Sequence, residues 1–432
     1  MKLLLRNAMV LDRSGAVQPH VAILTNGSSI EYVGTRPPAV QRQQTLDLAG
    51  LWVIPGAIDP HVHVRDLGQR EKEDWSSASA AALAGGYTTV FDMPNSVPPT
   101  NDLEALQRKR AAAAGAAVSA RFWLGATETN LGDLRAVLQT APADVAGIKV
   151  FLAGSSSNEI VRDPSSLKAV MTLAAQYDIP VAVHQELQAC LDAVGAGGIR
   201  RGASNHHRLR PRACVVQGAQ LAIETALQTG CTLYLVHVST AEEIELLRRL
   251  KPRGRIFAEA TPHHLWLDSS ATVKFSNHAK VNPPLRDPAD CSALQQALLD
   301  GIIDCLGSDH APHTLTEKDQ PYREAPSGFP GLETSMGLLL DAAARDGIPY
   351  KRVQELTSGN AAHIFGLADR GSITAGKRAD LTIIDPTARW TVDPARFHTK
   401  AHYSPFAGRT LTGRVVATVC AGVYRQTVAK EG

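Results

Sequence analysis

No stretch of this chain approaches the ~20 consecutive apolar residues that a membrane-spanning helix needs, so no bilayer span is expected. A surplus of one charge is also missing: 44 Lys and Arg stand against 42 Asp and Glu, a formal +2. That balance gives no electrostatic case for nucleic acid or a membrane surface as partner. Cysteine is sparse, and none of the six (Cys190, Cys214, Cys231, Cys291, Cys305, Cys420) falls in a C-x-x-C pair. They are expected to be reduced, mostly buried thiols of a cytoplasmic protein. Internal repeats and low-complexity tracts are absent; the alanine-rich 111–120 reads as the end of a helix. Residues 1–12 carry Lys2, Arg6 and only brief apolar runs before reading on as strand, which argues against a secretory signal.

What is present is the composition of a soluble globular protein, 44% hydrophobic and 20% charged. At 432 residues the chain exceeds one ordinary core, so a large domain with a smaller appended one is expected. The first fifty residues read as short strands at 3–11, 21–25, 30–33 and 44–47, with no helical period. From Trp52 onward, short apolar strands alternate with longer helical stretches. The strands are predicted at 57–62, 88–93, 120–126, 147–152, 180–184, 232–238, 255–260 and 303–307. Helices fall between them at 74–84, 103–114, 165–176, 213–228, 241–251 and 291–299, and Gly85 and Gly230 suit left-handed C-caps. Eight apolar strands alternating with helices predict an α/β fold, a closed parallel (β/α)₈ TIM barrel. After a helical run at 353–365, strand pattern returns at 371–373, 381–385 and 410–423. The two terminal β-rich pieces, 1–52 and 366–432, are expected to pair into a small composite β-sandwich domain flanking a barrel of 53–365.

Polar residues gather where the predicted strands end, the face on which such a barrel keeps its active site. Strand one ends in Asp59-Pro-His61-Val-His63-Val-Arg65, and residues two apart on a strand share a face, so His61 and His63 can reach one ion. Lys149, His184, His237 and Asp309 stand at or just beyond the ends of strands four, five, six and eight. One histidine among fifteen means little, but this joint pattern predicts a metal site. Imidazole with carboxylate ligands favours zinc or a similar transition ion over magnesium or calcium. Lys149 sits in Gly147-Ile-Lys-Val-Phe-Leu152, too apolar for an exposed strand. Carbamylated by CO₂, it would become a carboxylate able to bridge two metals, which requires a neutral amine that burial promotes. Asp309 would shuttle the proton between an activated water and an amide nitrogen. His206, His207, His263 and His264 are expected to be supporting or structural, and Glu259 a buried structural carboxylate. The polar stretch 314–321 would form a rim loop, either covering the substrate or simply solvated.

Several segments resemble dihydroorotase: the Asp59–Arg65 motif, Asp92-Met-Pro-Asn95, Lys280-Val-Asn-Pro-Pro-Leu-Arg286, Gly307-Ser-Asp-His-Ala-Pro-His313 and Ala325-Pro-Ser-Gly-Phe-Pro-Gly-Leu-Glu-Thr334. The terminal segment Gly371-Ser-Ile-Thr-Ala-Gly-Lys-Arg-Ala-Asp-Leu381 resembles the amidohydrolase superfamily more widely. The resemblance implies interconversion of N-carbamoyl-L-aspartate and L-dihydroorotate in pyrimidine synthesis. It further implies one zinc on His61, His63 and Asp309, a second on His184 and His237, and carbamylated Lys149 between them. Arg65, Asn95 and His313 would hold the substrate carboxylate, for which arginine offers a two-pronged partner, and Asn282 the ring's amide edge. A homo-oligomer, associated with aspartate transcarbamoylase, would also fit. Segment 147–158 is similar to hydantoinases as well, so a hydantoinase or allantoinase is the alternative reading. A non-catalytic subunit is disfavoured because all six ligand positions are filled.

Overall fold

The computed structural model describes residues 2–12, 15–39, 43–155, 159–195 and 199–427. Residues 156–158, the end of the hydantoinase-like stretch, lie outside them. Five strands come first: β1 (Lys2–Leu11), β2 (Val17–Asn26), β3 (Ser29–Gly34), β4 (Gln43–Asp47) and β5 (Trp52–Pro55). Eight more alternate with helices: β6 (Ala57–Val62), β7 (Tyr87–Asp92), β8 (Ser119–Gly125), β9 (Val145–Phe151), β10 (Val181–His184), β11 (Leu233–Leu235), β12 (Ile256–Ala260) and β13 (Cys305–Leu306). The last three are β14 (Leu381–Thr391), β15 (Thr410–Cys420) and β16 (Val423–Gln426).

Strands β6 to β13 pair in sequence order, and every described pairing among them is parallel. The seam between β13 and β6 closes by a single parallel bridge, Val62 to His310, with His63 N donating to His310 O at 2.8 Å. Asp59 reinforces the seam: its carboxylate accepts from Ser308 N and from His61 N. This is the predicted (β/α)₈ barrel.

Aromatic side chains fill the barrel's interior. Phe365 packs edge-on against Phe91, Trp123 and Tyr234, with ring centroids 4.8–5.6 Å apart. Burying one such ring is worth about 1.5–3 kcal/mol, so one end is sealed with hydrocarbon and polar residues are left to the other. The remaining eight strands form one sheet in the order β16-β15-β14-β5-β1-β2-β3, with β4 beside β1. Both termini meet in it through the antiparallel β14–β5 pairing, over a core of its own that includes Leu5, Ile23, Val53, Leu381 and Val419.

Five local expectations need correction. Cys190 and Cys214 are joined in a disulfide, their Cα atoms 5.3 Å apart. Helix Gln188–Gly195 lies against the start of helix Arg212–Thr229, a contact that the 24-residue separation hides. Cys231, Cys305 and Cys420 are buried thiols, Cys291 a half-buried one. Gly85 is right-handed (φ −81°), unlike Gly230 (φ 69°); the positive φ belongs to Gly86 (91°). Gly85 is needed for space, since a Cβ there would stand 2.1 Å from Leu332 O. Segment 371–373 is not a strand: the chain only brushes the edge of β3, through Gly376 N to Ile30 O and Ile30 N to Lys377 O. Segment 410–423 is two strands, β15 and β16, folded back at Ala421 and Gly422, both of positive φ. The stretch 314–321 contains a helical turn, Leu315–Lys318, capped by the Thr314 side chain. No helix among the described residues is long and apolar enough to cross a membrane.

Candidate metal centre

The polar end of the barrel collects the six predicted ligands. His61 and His63 come from the end of β6, Lys149 from β9 and His184 from β10; His237 and Asp309 follow β11 and β13. All are buried except Asp309, whose side chain is 11% exposed. His237 (φ 39°), Asp309 (φ 45°) and Arg65 (φ 64°) take left-handed backbone conformations just past their strands. Non-glycine residues held there cost of order 1–3 kcal/mol and gather at functional sites.

His61, His63 and Asp309 bring one donor atom each within 4.8 Å of one another. Both imidazole Nε2 atoms stand 3.2 Å from Asp309 Oδ1. The other nitrogen of each ring is already committed: His61 Nδ1 to Glu259 Oε1 at 2.8 Å, His63 Nδ1 to Asn95 Oδ1 at 2.6 Å. A neutral imidazole has one N–H, and burial keeps both rings neutral, taking His61 down to about 3 and His63 well below its usual range. With Nδ1–H donating, both Nε2 lone pairs point at a carboxylate oxygen. Three lone pairs converging in a buried space repel unless a cation lies between them. A zinc ion with ligands at about 2.0–2.1 Å in a tetrahedron would set donor atoms about 3.3 Å apart, so these residues fit the metal. The partners on Nδ1 fix the tautomer, as supporting groups at metal sites do.

A second group adjoins the first. His184 Nδ1 lies 3.0 Å from His237 Nε2, and the His61 and His237 rings are 5.4 Å apart. His184 Nε2 is held by Glu186 Oε2 at 3.0 Å, which again leaves the inward nitrogen as the bare one. Lys149, 1% exposed, has an Nζ without a hydrogen-bond partner among the described residues. Its charge depresses all four histidines, which puts it amid both groups. Burial brings Lys149 down to about 7, against the pull of Glu259 and Asp309. Near neutral pH much of this amine is unprotonated and nucleophilic.

Arg65 lies beside this cluster, 3% exposed. Its Nη2 is 3.3 Å from His313 Nε2, its Nε has no described partner, and it forms no salt bridge with a described residue. Burial lowers it only to about 10, so it stays charged. Asn282 lines a cleft of about 780 Å³ with Ser155, Arg210, Lys280 and Tyr322. Its Nδ2 donates to Ser155 Oγ and its Oδ1 meets His206 Nε2. A larger groove of about 1080 Å³, between helix Leu332–Asp346 and β14–β15, contains none of the predicted site residues.

Three carboxylates do more than the sequence suggested. Glu259 is tied into the cluster: it also accepts from His237 N and Tyr234 Oη. Burial pushes it up to about 8, a shift that a nearby cation would oppose. Glu186 holds His184 and is itself clasped by Arg210 Nε at 2.9 Å and by Nη2. Asp59 joins the seam beneath the ligands. Glu186 follows His184 by two residues, a spacing that puts both on one side of a strand. Arg210 gave no such signal, and neither did the role of Asp59.

A parallel barrel with two buried histidines and the nearly buried Asp309 converging at its polar rim is the arrangement of a barrel hydrolase with a candidate metal site. The chain belongs to the amidohydrolase family, which it matches over residues 52–424, and is a hydrolase acting on cyclic amides. It is similar to a dihydroorotase of Geobacter metallireducens, 34% identical and covering 99% of this chain and 100% of the relative. A dihydroorotase of Anaeromyxobacter dehalogenans is 33% identical, covering 97% and 96%. Among solved structures, L-hydantoinase (dihydropyrimidinase) from Arthrobacter aurescens superposes with a TM-score of 0.91 at 27% identity, covering 98% of this chain and 95% of that one.

Proposed function

We propose that this protein is a dihydroorotase, interconverting L-dihydroorotate and N-carbamoyl-L-aspartate in pyrimidine synthesis. The observation that carries the reading is Arg65: a buried guanidinium without a carboxylate partner among the described residues, beside the candidate metal ligands. An unpaired buried charge is costly, and a ring substrate bearing a carboxylate would neutralise it. His313 stands with it, and the Asn95 amide group is held on the neighbouring His63 ring. Full-length similarity to dihydroorotases supports the same choice.

In this reading His61, His63 and Asp309 would hold one zinc, His184 and His237 would hold a second, and Lys149, once carbamylated, would supply a further carboxylate ligand. Bound there, zinc would lower the pKa of a water from ~15.7 to ~7 and polarise the scissile carbonyl. Asp309 takes the water's proton through its carboxylate and delivers it to the departing amide nitrogen; ring closure runs the same transfer backwards. Arg65, Asn95 and His313 orient the ring by its carboxylate, and Asn282 meets its amide edge from the cleft. The reading carries with it a cytoplasmic location, a homo-oligomer and association with aspartate transcarbamoylase.

The hydantoinase-like superposition favours a second reading, a hydantoinase or allantoinase with the same centre. Arg65→Met separates the two. Charge-assisted hydrogen bonds are worth about 1.5–3 kcal/mol, so KM for dihydroorotate should rise by about 10- to 100-fold, while kinetics on carboxylate-free hydantoin barely change. Equal effects on both substrates would sink Arg65 as the carboxylate reader.

A further inference from the structure

The segment that presents Arg65 is anchored from below. β6 ends at Val62, and the N–H of Val64 has passed beyond any strand ladder. Its partner is a side chain: Val64 N donates to Asp92 Oδ1 at 3.0 Å. The other oxygen of Asp92 meets Lys109 Nζ at 2.6 Å, and the same ammonium donates to Met93 O at 2.5 Å. Both side chains are buried, 5% and 3% exposed, so neither charge is tolerable without the other. Lys109 reaches in from helix Leu103–Ala113 on the barrel's outer layer, and its hydrogen-bond partners among the described residues, Asp92 and Met93, include none of the candidate ligands. One residue beyond Val64 the chain turns left-handed at Arg65, a conformation an arginine adopts only when its surroundings impose it. The neighbouring Asn95 meanwhile holds His63 Nδ1, and Met93 N donates to Val62 O, so the segment 92–95 grips the chain at Val62, His63 and Val64, right up to Arg65.

We infer that Asp92 and Lys109 are positioning residues for substrate recognition: the buried pair fixes the Val64 peptide, and so the left-handed turn that aims Arg65 at the substrate's carboxylate. This rests on the reading of Arg65 given above. The pair touches neither substrate nor metal and sets how well a carboxylate-bearing ring is held rather than how fast it reacts. Asp92 is the essential acceptor, and Lys109 is required because a carboxylate at that depth needs a counter-charge.

Two double variants isolate the hydrogen bond without stranding a buried charge. Asp92→Asn with Lys109→Met keeps an oxygen to accept from Val64 N–H; Asp92→Ala with Lys109→Met removes it. Both are electrically neutral at the site, and melting curves and metal content confirm that each is folded and loaded. With the acceptor retained, KM for dihydroorotate should stay within about threefold of wild type; without it, KM should rise about tenfold or more, the scale of one lost hydrogen bond. The kcat values of the two should agree within about threefold, because merely structural damage would lower the active fraction and leave KM alone. The Ki of orotate, a flat ring with the same carboxylate, should follow KM. Equal KM in both variants of a chain that accepts dihydroorotate would overturn the positioning role alone. A wild-type chain that rejects dihydroorotate while hydrolysing hydantoin would overturn the reading of Arg65 and this inference with it.

Discussion

Asp309→Asn is expected to cut turnover by about 10³-fold or more while leaving a folded protein. Asp309 Oδ1 stands 3.2 Å from Nε2 of both His61 and His63, so its carboxylate is at once the third candidate ligand and the nearest proton carrier. An amide in its place supplies no negative charge to a cation and cannot take up a proton near neutral pH. General acid–base catalysis alone contributes about 10²–10⁴-fold, and weakened metal binding adds to the loss. Asparagine is the apt replacement because the backbone at 309 has φ 45°, which Asn tolerates and most residues do not. The fold should hold: the barrel seam at this point rests on backbone bonds and on Asp59, not on the Asp309 side chain. Turnover on dihydroorotate, with a melting curve as control, checks this; wild-type turnover would remove Asp309 from the chemistry.

Lys149→Ala should be as damaging, by another route. The amine is buried among four imidazoles, where it has no hydrogen bond to a described residue to lose. If its role is to carry a carbamate between two metals, the variant should purify with less metal, lose about 10³-fold or more in activity, and recover part of it when a short carboxylate such as acetate or propionate is added. Full metal occupancy without Lys149 would contradict a bridging carbamate. The pH dependence has a definite sign. Burial lowers the lysine to about 7, so its neutral form grows as pH rises through that value, and only the neutral amine captures CO₂. Metal-stripped wild-type protein given bicarbonate and zinc should therefore regain activity faster at pH 8 than at pH 6.

Much of this was open to reading from the sequence because the relevant physics is local. Each barrel strand announced itself as a short apolar run, and six chemically eloquent residues lay at or just beyond strand ends, where the barrel's own geometry gathers them. The structure brings His61, His63 and Asp309 into one group and sets His184 against His237. What stayed hidden depends on distance in sequence. Arg210 clasps Glu186 from 24 residues away, beyond helix Gln188–Gly195, and the Cys190–Cys214 bridge joins two helices that show no pairing signal. The buried grip of Lys109 on Asp92 is of the same kind, since helix periodicity alone reads Lys109 as one more polar residue. Local misreadings had local causes: the adjacent glycines 85 and 86 marked a turn without fixing which takes the positive φ, and the apolar run through 410–423 hid the fold-back at Ala421 and Gly422.

The most direct test offers purified, metal-quantified wild-type protein dihydroorotate, hydantoin and allantoin side by side. With metal bound, dihydroorotate should be turned over with a kcat/KM at least about 10²-fold above either ring lacking the carboxylate, the discrimination expected of a buried charge that must be paired. A loaded protein that prefers hydantoin or allantoin, or that leaves dihydroorotate untouched, would contradict the account.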